Sequence, residues 1–136
     1  MTDESWGFRG GDEIAPNLLA HELLGGGIRY EAYLAWDEVR LAHVTVKVLR
    51  PDQVEDPAAL AGMAREAGTL DRLQHPVIVR SFGSSLHGPR PHLVLEFIEG
   101  PRLSTLLRRY GPLALEQAIP LATQLASALH YLEGRG

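Results

Sequence analysis

Apolar residues run in short, strand-like clusters as far as Glu96 and take helical steps of three and four after it. Residues 18–24 (LLAHELL) predict a strand that leads into Gly25-Gly26-Gly27, and the aromatic-rich residues 30–36 (YEAYLAW) predict a second. Asp37-Glu38 marks a turn before a third, β-branched strand over residues 41–49. Short turns between the three make an antiparallel meander. Asp56 is placed to cap a helix whose first turn holds Pro57, and the helix runs to about Leu73. Leu60, Met63, Ala67 and Leu70 lie on one stripe of it, with Arg65 and Arg72 on the far side. His75-Pro76 ends this helix, because a proline disfavours helical backbone in the residue before it. Residues 77–82 and 92–96 predict a fourth and a fifth strand, joined through Gly88-Pro89.

The character changes after Gly100-Pro101. Leu103, Leu106 and Leu107 outline a short helix closed by Tyr110-Gly111-Pro112. A longer helix comes next, over about residues 114–133, with Ile119, Ala122, Leu125, Ala126, Leu129 and Leu132 along one stripe. The fold class expected is α+β, divided into a flexible leader (1–17), a sheet-rich part (18–100) and a helical part (101–136). Trp6 and Phe8 of the leader fit a contact with the sheet or with a partner equally well. The acidic, glycine-containing N-terminus is unlike a signal peptide, and no apolar run has the length of a membrane span, so a soluble cytoplasmic chain is expected.

Composition narrows the chemistry. With 17 acidic and 13 basic residues in 136, the net charge of −4 argues against a nucleic-acid binder, which needs a basic face. The absence of cysteine removes disulfides, zinc–thiolate sites and cysteine nucleophiles. His21, His43, His75, His87, His92 and His130 show no ligand spacing on a shared helix face, and no metal site is expected. Among the 13 basic residues 12 are arginine, and the single lysine is Lys47. Arg108-Arg109 reads as a solvated helix end.

Lys47 stands near the end of a strand otherwise made of Val44, Val46, Val48 and Leu49. Such a lysine either snorkels at a sheet edge or neutralises a negative group. Glu66 favours the second, because it flanks the apolar stripe of the helix rather than its far side. A carboxylate facing the sheet needs a cation, and Lys47 answers it. The residues after the glycine triplet separate two phosphate-binding schemes. A dinucleotide-binding loop opens into a helix, whereas residues 30–36 read as a strand and place the triplet in a hairpin. Glycine triplets also serve ordinary hairpins.

In order along the chain, these segments resemble the eukaryotic-type Ser/Thr protein kinases, which are widespread in bacteria. Residues 24–35 (LGGGIRYEAYLA) look like the glycine-rich loop, and Val44-Thr45-Val46-Lys47 like the Val-Ala-Ile-Lys strand. Glu66 matches the glutamate of helix C, His75-Pro76-Val77-Ile78-Val79 the His-Pro-x-Ile-Val segment, and residues 93–100 (LVLEFIEG) the gatekeeper and hinge. The resemblance implies a kinase N-lobe, a five-stranded antiparallel sheet with helix C, followed by two helices of an incomplete C-lobe. It implies that Gly25, Gly26 and Gly27 cover the nucleotide phosphates and that Leu24, Ala32 and Thr45 line the adenine. Lys47 would contact the α- and β-phosphates and pair with Glu66. Leu95 would be the gatekeeper, and the backbones of Glu96 and Ile98 would hydrogen-bond the adenine edge. The implied co-substrate is ATP with Mg²⁺, and the implied partner a protein substrate.

Three residues depart from the family pattern. Tyr30 stands at the third loop glycine, Ala32 at the following valine, and Thr45 at the small apolar residue beneath adenine. The catalytic-loop aspartate and the Asp-Phe-Gly metal ligand have no counterpart in these residues, which end at a helix resembling the one before that loop. The 136 residues by themselves are expected to transfer no phosphate, to bind ATP weakly or not at all, and to self-associate through the stripe of residues 114–133. A non-catalytic, pseudokinase-like binding module is the alternative reading, and a small-molecule kinase of related fold a third.

Overall fold

Strand alternation over residues 42–49 sets the architecture. Val44, Val46 and Val48 are fully buried on one side, while Thr45 and Lys47 point to the other and stay partly accessible. The computed structural model describes residues 4–135. Its sheet comprises β1 (Glu13–Ala15), β2 (Leu18–Gly26), β3 (Tyr30–Asp37), β4 (Ala42–Leu49), β5 (Ser81–Ser85) and β6 (His92–Glu96). All pairings are antiparallel, in the order β1-β2-β3-β4-β6-β5. Helix α1 (Pro57–Asp71) packs against β5 and β6, and α2 (Leu103–Tyr110) and α3 (Leu115–Glu133) come after them in the chain. The α+β class is as expected, with one strand more than the five anticipated.

The extra strand, Glu13–Ala15, lies within the stretch read as leader, whose first three residues fall outside the described ones. Ile14 on β1 is 1% exposed and joins Leu18, Ala20, Tyr33, Ala35, Val44, Val46, Val48 and Val94 in one core. Trp6 and Phe8 pack against it, their rings stacked at 5.9 Å, with Phe8 edge-on to Tyr33 at 5.2 Å. The Arg90 guanidinium lies 4.8 Å from the Trp6 ring and 4.9 Å from Phe8. The indole Nε1 donates to the carbonyl of Leu49 at 2.7 Å.

What holds the leader down is a buried carboxylate. Glu31, 1% exposed, accepts from Ser5 Oγ at 2.8 Å, the Trp6 amide at 2.9 Å and the Tyr33 hydroxyl at 2.7 Å. A buried charge is tolerated only when its lone pairs are filled, and three donors fill these. Burial, and then the hydrogen bond to Glu31, raises the Tyr33 hydroxyl above its ordinary pKa, so it stays protonated and donating.

Asp37 organises the β3–β4 turn. Its Oδ1 accepts from the amides of Val39 and Arg40, and its Oδ2 from Arg40 Nη1 at 2.7 Å. Burial by itself would raise this carboxyl. The Arg40 guanidinium and the two amides outweigh it, and the carboxyl sits below its ordinary value.

Helix α1 begins as predicted, with Asp56 accepting from the Ala58 amide at 3.0 Å and Pro57 in the first turn. Its buried residues are Ala59, Met63 and Ala67, so the inward stripe is shifted from the one anticipated: Leu60 and Leu70 are only half-buried. The fourth strand is also displaced, to Ser81–Ser85 instead of residues 77–82. His75 is the cause. Its Nδ1 accepts from the Val77 amide at 3.1 Å and its carbonyl from Ile78 at 3.1 Å, which bends a β-branched run into a turn.

Two compact units result, one formed by the chain up to Leu73 with Arg80–Phe97, the other by Gln74–Val79 with the chain from Ile98. In the second unit α2 ends at Gly111, whose φ of 78° suits a glycine helix cap. Helix α3 is anchored to the 74–79 segment: Tyr131 Oη accepts from the Gln74 amide at 2.8 Å, and His75 Nε2 and Ser127 Oγ are 3.1 Å apart. Ala128 is the buried residue of α3, whereas Ile119, Leu125 and Leu129 are more than half exposed. Among the described residues no helix is long and apolar enough to cross a membrane.

Two outcomes check this packing. Ile14→Ala is expected to destabilise by roughly 2–5 kcal/mol, read from denaturant unfolding, and a change under about 1 kcal/mol would remove β1 from the core. Because the Asp37 carboxyl lies below its ordinary value of 3.8, the stability it adds is present above that pH and disappears as pH falls through the folded value. The deficit of Asp37→Asn against the parent chain should be largest near neutrality and shrink below about pH 4. A deficit constant from pH 7 to pH 3 would contradict the assignment.

Candidate functional site

Residues directly opposite one another in an antiparallel sheet share a face. Gly25 pairs with Ala32, Ala32 with Lys47 and Lys47 with Leu93, forming one row across four strands. Leu34, Thr45 and Leu95 form the next row on that face. The intervening row of Tyr33, Val46 and Val94 points into the core. Five of the residues singled out in the sequence, Gly25, Ala32, Thr45, Lys47 and Leu95, therefore lie together on one side of the sheet, opposite the core. Leu24 is the extra residue of a bulge between the Leu23–Tyr33 and Gly25–Ala32 pairs, and is one-third exposed. Glu96 ends β6, and its Oε1 accepts from the Arg80 amide at 3.0 Å. Ile98 is exposed and lies outside the sheet, in the second unit.

Lys47 and Glu66 meet as the pattern suggested. Lys47 Nζ donates to both carboxylate oxygens, at 2.9 and 2.8 Å. Met63 and Ala67, buried on the same helix, hold that face of α1 against the sheet and aim Glu66 at the lysine. The side chains are 18% and 37% exposed, so the pair adds little stability, roughly 0.5–1 kcal/mol. Its effect is to fix the position of an ammonium.

The glycine triplet is the turn end of the β2–β3 hairpin. Gly26 opposes Glu31, and a Cβ there would lie 2.6 Å from the Tyr30 carbonyl oxygen and 3.1 Å from the Glu31 Cα. Backbone approaches backbone here, and only glycine fits. The Gly27 amide donates to the Tyr30 carbonyl at 2.9 Å, and the Gly27 carbonyl accepts from Arg50 Nε at 2.8 Å. Arg50 Nη1 also donates to the Glu4 carbonyl at 3.0 Å and stands 4.0 Å from Glu31. Arg50 thus ties the hairpin tip to the N-terminal segment. Nothing in its local sequence announces this, because its partners are two backbone carbonyls distant along the chain.

Tyr30 occupies the site in a way that sequence reasoning did not reach. Its ring centroid is 3.9 Å from Lys47 Nζ, and a Cβ on Gly27 would be 3.3 Å from its Cε1. The ring lies between the hairpin tip and the lysine. Beside it, Ile28, Lys47, Met63 and Glu66 help to line a cavity of about 560 Å³ between the hairpin and α1.

A fixed ammonium, a glycine hairpin and a small apolar sheet face together suit recognition of a flat heterocycle carrying phosphates. The chain is similar to known proteins in sequence and in fold. The family described as protein tyrosine and serine/threonine kinase matches residues 21–136. Serine/threonine-protein kinase PknB of Mycolicibacterium smegmatis is 34% identical over 119 residues, 85% of this chain and 19% of that protein. PknE of Mycobacterium tuberculosis is 33% identical over 128 residues, 94% of this chain and 22% of its own length. The chain thus spans about a fifth of these relatives. The Mycobacterium tuberculosis PknI kinase domain superposes with a TM-score of 0.74 at 22% identity, over 96% of this chain and 53% of that domain, a likeness of fold. With the family matched over most of its length, the chain belongs to the protein tyrosine and serine/threonine kinases.

Proposed function

We propose that these residues form the ATP-positioning part of a Ser/Thr protein kinase. The observation that carries the reading is the double contact of Lys47 with Glu66 on the sheet face that also holds Ala32, Thr45 and Leu95. Lys47 takes the α- and β-phosphates, and Glu66 keeps its ammonium in place. Leu24, Ala32 and Thr45 line the adenine, Leu95 is the gatekeeper, and the backbones of Glu96 and Ile98 bond the adenine edge. Gly25, Gly26 and Gly27 let the hairpin close over the phosphates. The reaction served is transfer of the γ-phosphoryl group of Mg-ATP to a Ser or Thr hydroxyl of a protein, in the cytoplasm where ATP is available.

Among the described residues no three His, Asp or Glu side chains gather into a metal-binding set. The 136 residues by themselves position ATP weakly and transfer no phosphate, because none of them takes the place of the catalytic-loop aspartate. Ile119, Leu125 and Leu129, exposed on α3, form the face through which these residues made alone self-associate.

Titration of the ¹⁵N-labelled chain with Mg-ATP should shift the amides of Gly25, Ala32 and Thr45. Lys47→Met should weaken the interaction about tenfold or more, the loss of a charged phosphate contact. Mg-ATP binding that Lys47→Met leaves unchanged would remove Lys47 from the phosphate site.

A further inference from the structure

An ammonium has three N–H donors and no acceptor. Two of those of Lys47 are engaged by Glu66, at 2.9 and 2.8 Å, and the Tyr30 ring stands 3.9 Å from the same nitrogen. A phosphate oxygen approaching Lys47 needs a free direction on the nitrogen, and the ring occupies space there. The contact is favourable in itself, because the negative face of an aromatic ring attracts a cation. Gly27 provides the ring's seat: a methyl group at that position would be 3.3 Å from Tyr30 Cε1. Tyr30, Lys47 and Glu66 line one cavity of about 560 Å³ between the hairpin and α1, so the ring has room to swing off the ammonium.

We propose that Tyr30 is a gate on the phosphate site, its ring capping the Lys47 ammonium until a nucleotide phosphate displaces it. The proposal rests on the nucleotide reading of the site and adds a consequence for ligand discrimination. Adenosine, which has no phosphate, meets no gate. ATP has to break the ring–ammonium contact, and loses part of the affinity that its charge would otherwise gain. The pair with Glu66 is untouched by the exchange, so the ammonium stays in position throughout.

Binding of adenosine and of Mg-ATP to the parent chain, Tyr30→Gly, Tyr30→Thr and Tyr30→Phe separates the possibilities. Tyr30→Gly removes the ring, and Tyr30→Thr removes it while keeping a good strand former in β3. Both should tighten Mg-ATP binding by roughly three- to thirtyfold, the span of a cation–π contact, and leave adenosine unchanged. Tyr30→Phe keeps the ring and should behave as the parent chain. A second measurement needs no ligand: the Lys47 Cε protons should show an upfield ring-current shift in the parent chain and in Tyr30→Phe that is absent from Tyr30→Thr. An Mg-ATP affinity that stays the same or falls in both ring-free variants, while Lys47→Met still weakens it, overturns the gate and leaves the nucleotide reading standing. An Mg-ATP affinity that Lys47→Met leaves unchanged, with or without the ring, overturns the phosphate assignment of Lys47 and the gate together, and absence of the ring-current shift from the parent chain overturns the gate whatever the affinities.

Discussion

The register between β3 and β4 is the constraint on which everything else hangs. Side chains alternate across a strand with a period of two, so the pairing that buries Val44, Val46 and Val48 also fixes Thr45 and Lys47 on the opposite face. A slip of one residue would drive the ammonium into the core and turn three valines towards solvent. The apolar side of β4 therefore sets the position of a group it never touches. Glu66 adds little to stability through its half-exposed contact with Lys47, yet it removes the remaining freedom of a long side chain.

The other side of the sheet carries a carboxylate that is fully buried, under a different rule. Lys47 answers one carboxylate, whereas Glu31 is satisfied by a serine hydroxyl, a backbone amide and a phenol, with Arg50 farther off. Glu31 and Tyr30 are neighbours on β3 and point to opposite faces. One draws the N-terminal segment onto the core, and the other caps the lysine. A single strand thus links the attachment of the leader to the geometry of the hairpin.

Features with a local cause were legible in the sequence. Asp56-Pro57 announced the start of α1, alternation announced β4, and the flank position of Glu66 announced its partner. Features caused at a distance were not. Trp6 and Phe8 sit among glycines and charges with no periodicity, and the Trp6 contacts are with Glu31 and Leu49, 25 and 43 residues away in the chain. Val77-Ile78-Val79 has the composition of a strand, but the His75 ring and carbonyl capture the amides that a ladder would need. The shifted stripe of α1 has the same origin, since the sheet decides which of several apolar residues face inward. Tyr30 was visible as a missing glycine; the place its ring would take could not be read without the fold.

The leader also separates two meanings of a domain boundary. The family match begins at residue 21, yet the contacts that fill the lone pairs of Glu31 begin at Ser5. A polypeptide cut to the family boundary would keep every residue of the nucleotide face and lose β1 with two donors to a buried carboxylate. Arg50 would meanwhile lose its carbonyl at Glu4 while still gripping Gly27. The family match is thus shorter than the set of residues that pack together, and the piece outside it reaches the hairpin tip through one guanidinium.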